Sequence, residues 1–296
     1  MGDHDGLAAR FEAHRGHLRA VAYRVLGSLS EADDAVQEAW LRLDRAGSGR
    51  IDNLGGWLTR VVARVCLDML RARTARREQP LDVQRPGAVA GGRGQGSHDP
   101  EQEALLAEEV GLALLVVLDR LGPAERVAFV LHDLFAVPFD QVAPIVERSP
   151  AAAKKLASRA RHRVHGASAP PDPDRSRQRR VVDAFLAATR GGDLNGLLAV
   201  LDPDVVRRAD RAALPAGVAS ELRGTRAVAE ETRGNWRRAR FAQVVLVNGA
   251  VGLVVAPRGR LVVAIGLTSK DDKVTEIEVI ADPSRLRQLD LAVLAN

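Results

Sequence analysis

Two stretches of this 296-residue chain cannot pack a core, and they divide what it can fold into. The first break runs from Glu78 to Pro100, with Pro80, Pro86 and Pro100 around the run Gly91-Gly92-Arg93-Gly94-Gln95-Gly96. The second, Gly166 to Asp174, reads Gly-Ala-Ser-Ala-Pro-Pro-Asp-Pro-Asp. Glycine removes backbone restriction and proline removes donors, so both stretches read as tethers. Three modules are expected, 4–78, 101–165 and 175–296, joined by linkers 79–100 and 166–174. Aromatic residues make up only 3%, so the cores must rest on Leu, Val and Ala. The single cysteine, Cys66, excludes a disulfide framework, and no Cys/His cluster has metal-ligand spacing. With no apolar leader and no run long enough for a bilayer, a cytoplasmic protein without membrane contact, metal or cofactor is expected.

The first module reads as helical throughout. Leu7, Phe11, Leu18, Val21, Ala22 and Val25 share a face until Gly27-Ser28 stops the helix. Ser30 can cap a second helix, with Glu31, Asp33 and Asp34 in its first turn, where the dipole favours anions. Its inner stripe is Val36, Ala39, Trp40 and Leu43, which leaves Asp33, Asp34, Gln37 and Glu38 outside. After the loop Ala46 to Asn53, a long helix places Leu54, Trp57, Leu58, Val61, Val62, Val65, Met69 and Leu70 inward. Arg60, Arg64 and Arg71 share an outer face with Asp68, and Arg73, Arg76 and Arg77 extend that cationic track. Trp57 is expected in the core rather than as a stacking platform for a base. One acidic and one basic helix in a small domain point to two partners, a basic protein and a polyanion.

The second module ends in a basic helix. Pro123 to Leu134 forms one helix carrying Val127, Phe129, Val130 and Leu134; Pro138 can start another, with Phe139, Val142 and Ile145 on one face. Pro144 lies inside that second helix and predicts that it is kinked or short. Glu147 to Ser149 is a tight turn, Ser149 is a fitting N-cap and Pro150 suits the first helical position. Ala153, Leu156, Ala160 and Val164 form a narrow inner stripe, leaving Lys154, Lys155, Ser158, Arg159, Arg161 and His162 outward. Helix, turn and basic helix make a helix-turn-helix, whose last helix can enter a major groove. An ordinary helical pair with a solvated basic face is the competing reading of this stretch alone.

The chain carries 43 basic and 38 acidic residues; 20 and 14 of these fall in 175–296, leaving 23 and 24 for the rest. DNA affinity in the helical half must therefore come from local faces rather than bulk charge, which argues against a non-specific coat protein. In the third module two amphipathic helices are followed by Asp202-Pro-Asp, which begins a turn into Val205-Val206, and then by strand-like runs at 240–248, 250–256, 260–268 and 273–281. Asn248-Gly249, Pro257-Arg258-Gly259 and Lys270-Asp271-Asp272 read as the turns between them, which suggests an α+β cone with a curled antiparallel sheet.

Glu31-Ala-Asp-Asp-Ala-Val-Gln-Glu-Ala-Trp-Leu-Arg-Leu, Trp57-Leu-Thr-Arg-Val-Val-Ala-Arg and Asp68-Met-Leu-Arg resemble region 2 of the extracytoplasmic-function group of bacterial sigma-70 factors. Leu121-Gly-Pro-Ala-Glu-Arg-Val-Ala-Phe-Val-Leu through Ser158-Arg-Ala-Arg resembles region 4 of that family. The third module resembles the SnoaL-like, NTF2-like extension carried by a subgroup of these factors. The implied fold is two all-α sigma domains, a region 2 helical bundle and a region 4 helix-turn-helix, followed by an α+β cone.

That resemblance implies a non-enzymatic transcription initiation factor that binds RNA polymerase core through its clamp helices and flap, and promoter DNA at two elements. Asp33, Asp34, Gln37 and Glu38 match the face that docks on the clamp helices. Asn53, Arg60, Arg64, Arg71, Arg73, Arg76 and Arg77, with the loop from Ser48, match the part that captures the unstacked −10 strand. Lys154, Lys155, Ser158, Arg159, Arg161 and His162 match the −35 reader, where each base contact contributes roughly 1–3 kcal/mol of discrimination. The C-terminal domain is expected to act as an intramolecular regulator, with a small-molecule ligand possible in its pocket. Asp210 and Glu278 are weak candidates for a pocket base. The subgroup's Asp-Gly-Gly-Gly-Lys-like loop and Trp-Leu-Pro linker motif are missing, while Asp282-Pro-Ser-Arg-Leu resembles its terminal Asn-Pro-Asp-Lys-Leu motif. Two alternatives stay open: a ligand-responsive helix-turn-helix regulator with an NTF2-like sensor, and a SnoaL-like enzyme fused to a DNA-binding region.

Overall fold

A computed structural model describes residues 2–46, 51–78, 111–166, 173–215 and 217–294. Both expected linkers lie largely outside the described residues, as does the loop from Ser48 to Arg50. The chain divides into two compact units, 1–110 with 118–161 and 111–117 with 162–296.

The first unit is helical. Helices α1 (Gly2–Leu26), α2 (Leu29–Ala46) and α3 (Leu54–Glu78) pack mutually around Phe11, Leu18, Leu43, Leu58 and Leu67, all nearly inaccessible. Gly27 takes φ +75° and ends α1, and α2 begins at Leu29, so Ser30 sits in its first turn instead of capping it. The inward face of α3 keeps Leu54, Leu58, Val62, Val65 and Leu70 of the expected set and differs in the rest. Ala63, Cys66 and Leu67 are buried, whereas Trp57, Val61 and Met69 are only half-buried. A short apolar helix, α4 (Leu112–Leu118), all but its last residue assigned to the second unit, precedes α5 (Pro123–Phe129), which continues as a π-helical turn over Val130–Leu134. Next come α6 (Phe139–Val146) and α7 (Pro150–His165). Pro144 lies within α6, which spans only 8 residues, as a missing N–H at that position requires. Glu147 then takes φ 56° to reverse the chain. Ser149 Oγ accepts the Ala152 N–H at 3.3 Å, which caps α7 as expected.

The second unit is α+β, in agreement with the cone expected of the third module. Helices α8 (Pro173–Gly191) and α9 (Leu194–Val200) precede β1 (Leu201–Ala209) and β2 (Glu221–Arg223). Helices α10 (Thr225–Gly234) and α11 (Trp236–Ala239) precede β3 (Ala242–Val247), β4 (Ala250–Val255), β5 (Val263–Lys270) and β6 (Lys273–Ile280). The chain closes with α12 (Pro283–Gln288) and β7 (Leu291–Ala292). The sheet order is β2-β1-β6-β5-β4-β3-β7. It is mixed rather than purely antiparallel, because β1 pairs with β6 in parallel. The run Asp202-Pro-Asp, expected as a turn, lies inside β1, where the register slips between Leu201 and Val206. Asn248 and Gly249 take φ 51° and 84°, and Asp271 and Asp272 take φ 50° and 60°, the left-handed pairs that two-residue hairpins need. Val182, Phe185, Leu197, Val228, Val251 and Val274 are buried between the sheet and its helices.

Candidate nucleic-acid and polymerase interface

The small residues of α7 decide which side of it meets solvent. Ala153, Ala157, Ala160 and Val164 are fully buried, so the helix lies close on its support. Leu156, expected inward, is only half-buried, and Ala157 takes its place. Lys154, Lys155, Ser158, Arg159, Arg161 and His162 are all exposed, on the side expected of a DNA reader. Two of these six are already engaged. Arg159 Nε donates to Glu125 Oε1 at 2.9 Å, and Arg161 Nε donates to Asp133 Oδ1 at 2.7 Å.

On α3, Arg60, Arg64, Arg71 and Arg76 are exposed. Arg64 and Arg71 converge on one carboxylate: Glu147, in the turn between α6 and α7, accepts from Arg64 Nη2 at 2.5 Å and from Arg71 Nη2 at 3.2 Å. Arg64 Nη1 also donates to the Pro144 carbonyl at 3.4 Å. Beside this junction a cleft is lined by Arg42, Trp57, Arg60, Val61, Arg64, Pro144 and Ile145. Trp57 is thus a half-exposed cleft wall rather than the core residue expected. The remaining members of the track make contacts within the protein. Asn53 Oδ1 accepts the Gly56 N–H at 2.9 Å and caps α3. Arg73 pairs with Glu31 and donates to the Leu26 carbonyl at 3.2 Å, and Arg76 Nε donates to Ala72 O at 3.2 Å. The Arg77 side chain lies outside the described residues.

The acidic face of α2 is partly neutralised from within. Asp33 accepts from Arg19 Nε at 2.7 Å and Glu38 accepts from Arg42 Nε at 2.8 Å, while Asp34 and Gln37 are exposed. Between α3 and α5 lies a group that the sequence reading passed over. Arg126 is 3% exposed, and its Nη1 donates to Asp119 at 3.2 Å while its Nε has no acceptor among the described residues. Burial pulls this guanidinium down to about 10, against the opposing pull of Asp119. Burial likewise pushes the Cys66 thiol up to about 12. Glu147 carried no usable signal because its partners lie 83 and 76 positions away, and Arg126 none because its burial is decided by packing between helices.

In the second unit, Phe185, Leu253, Val255, Ile265, Ile277 and Val279 help to line a cavity of about 840 Å³. Glu231 is its one carboxylate among the described residues, held by Arg207 in a bidentate pair at 2.6 and 2.8 Å. Asp210 and Glu278 do not line it. Asp210 accepts backbone N–H groups of Ala213, Ala281 and Asp282, and Glu278 accepts from Arg285 at 2.6 Å. No group of three or more His, Cys, Asp or Glu side chains could hold a metal among the described residues. No described helix is long and apolar enough to cross a membrane.

A three-helix body with an acidic and a basic face, combined with a helix-turn-helix, defines a two-surface nucleic-acid-binding protein. The sigma-70 region 2 family matches residues 10–76 and the sigma-70 region 4 family matches residues 111–164. The chain is 36% identical over 290 residues to the probable ECF RNA polymerase sigma factor SigI of Mycobacterium tuberculosis, covering 98% of each chain. It is 38% identical over 293 residues to the ECF RNA polymerase sigma factor SigJ of that organism, covering 94% of this chain and 92% of the other. The crystal structure of Mycobacterium tuberculosis SigJ aligns with 94% of this chain and 98% of its own, at 37% identity and a TM-score of 0.45. The chain belongs to the extracytoplasmic-function sigma factors, which direct transcription initiation at promoters.

Proposed function

We propose that this sigma factor grips a promoter at two places. The outer face of α7 reads the −35 element, and Arg60, Arg64, Arg71, Arg76 and Arg77 neutralise phosphates around the −10 strand. Asp33, Asp34, Gln37 and Glu38 dock on the clamp helices of RNA polymerase core, and region 4 lies against the flap. The C-terminal unit adjusts this activity in cis, and the protein works in the cytoplasm. The carrying observation is the co-facial exposure of Lys154, Lys155, Ser158, Arg159, Arg161 and His162 on a helix capped by Ser149. No catalytic role is assigned to the C-terminal unit, because the only described carboxylate at its cavity is tied to Arg207.

Transcription with reconstituted holoenzyme tests this reading. Lys154→Ala with Lys155→Ala should cut output from a cognate promoter at least tenfold and leave core binding unchanged; unchanged output would refute the −35 assignment. Removing residues 167–296 should change promoter output or core affinity, and equality in both would refute regulation in cis. Promoter binding by the isolated protein as tight as by holoenzyme would instead favour a stand-alone helix-turn-helix regulator.

A further inference from the structure

The cavity of the second unit has a polarity that selects a ligand class. Its floor and walls are apolar, built by Leu253 and Val255 of β4, Ile265 of β5, and Ile277 and Val279 of β6. Its charged lining is asymmetric: Arg207, Arg237 and Arg238 against Glu231. Arg207 is 4% exposed and fully committed, pairing with Glu231 and donating from Nη1 to the Ala219 and Ser220 carbonyls at 3.2 and 3.1 Å. That neutralises the interior pair. Arg237 and Arg238 on α11 are exposed at the rim, and neither meets a carboxylate among the described residues. Trp236, 50% exposed, precedes them and packs against the Arg237 guanidinium at 5.3 Å from the ring centroid.

We propose that this cavity binds an amphipathic monoanion, an apolar chain ending in a carboxylate. The chain lies on the β4–β6 surface and the head group meets Arg237 and Arg238. An apolar body recovers the hydrophobic contribution of leaving water. A carboxylate gains charge-assisted hydrogen bonds from two exposed guanidinium groups that meet no carboxylate among the described residues. An ammonium head group would meet two like charges, and a neutral head would forgo the charge-assisted bonds. A volume of about 840 Å³ falls within the usual range for small-molecule sites. With Glu231 held by Arg207 and no His, Cys, Asp or Tyr among the described lining, the site binds without turning over. The proposal concerns binding alone and does not depend on whether the C-terminal unit alters transcription.

Calorimetric titration of the full chain with decanoate, decanol and decylammonium tests it. Decanoate should bind one to one, at least tenfold tighter than either analogue. Arg237→Gln with Arg238→Gln, at exposed positions, should weaken decanoate at least tenfold and leave decanol within twofold. Ala212→Trp, on the exposed rim, should abolish binding of all three by filling the mouth. The proposal is overturned if decanoate shows no saturable binding, if decylammonium binds as well as decanoate, or if decanoate binding survives Ala212→Trp.

Discussion

Neutralising Glu147 should loosen the hold of the helix-turn-helix on the basic face of region 2. Its carboxylate accepts from Arg64 at 2.5 Å and from Arg71 at 3.2 Å, and all three side chains are between 42% and 48% exposed. At that exposure each pair contributes about 0.2–1 kcal/mol, so the shared carboxylate contributes roughly 0.5–2 kcal/mol. A tenfold change in an equilibrium costs about 1.4 kcal/mol, so Glu147→Gln should shift the ratio of closed to open forms by about 2- to 30-fold. The apolar contacts that Pro144 and Ile145 make at the Trp57 cleft remain, so closure weakens without vanishing. Glutamine keeps the side-chain size and adds no penalty at the φ of 56°. Single-molecule energy transfer between dyes at Arg10→Cys and Gln141→Cys, both exposed positions, reads the closed fraction directly. Wild type should open as salt rises towards 1 M, while E147Q should start more open and respond less. Identical closed fractions for the two proteins, with no salt response in wild type, would refute the idea that this carboxylate holds the faces together.

Four further outcomes follow from buried groups and turns. Cys66, with its thiol pushed up to about 12, should resist alkylation at pH 8 in the native protein and react only as the chain unfolds, read by mass spectrometry. Because the raised thiol favours the protonated folded form, its contribution to stability is full below about pH 9 and fades as pH rises towards 12; denaturant melts across that window check the sign. Arg126→Met removes an imperfectly satisfied buried charge while leaving Asp119 half-exposed, and should change stability little or raise it by about 1–3 kcal/mol, whereas Arg126→Ala should destabilise by leaving a void. Gly249→Ala, at φ 84°, should cost about 1–2 kcal/mol by thermal melting although nothing crowds the site.

Local signals were readable where chemistry and geometry coincide within a few residues. Pro150 after Ser149, Asn248-Gly249 and Asp271-Asp272 each fix a dihedral or satisfy a donor, and each is found doing so. The outer face of α7 was legible because alanines can only be buried by close approach, which forces the long cations outward. What failed was anything decided between elements. Trp57 fits the apolar period of α3, but the inward face is set by the several helices packed on it, and Ala63, Cys66 and Leu67 are buried there. The strand β1 was missed because Asp202-Pro-Asp has turn chemistry, and only its pairing with β6, carried across a register slip, makes it extended. The ion pairs of Glu147, Glu125 and Asp133 join residues at least 28 positions apart, beyond any helical spacing rule.

Those long-range pairs bear on how such a protein would meet DNA. Of the proposed contacts, Arg64 and Arg71 share Glu147, Arg159 has Glu125 and Arg161 has Asp133. A phosphate approaching any of these arginines must displace a carboxylate, and that carboxylate then stays nearby as a like charge. DNA binding becomes an exchange of anions rather than a gain of new ion pairs, so the free protein should bind duplex weakly despite its basic helix. Among the described residues Lys154 and Lys155 have no such partner, which leaves them as the first cations available to a phosphate. Anything that separates α3 from the α6–α7 turn removes Glu147 from two arginines at once, and so converts one mechanical step into two freed positive charges. The helical half, with its nearly equal acidic and basic counts, is thereby neutral while closed and locally basic when opened.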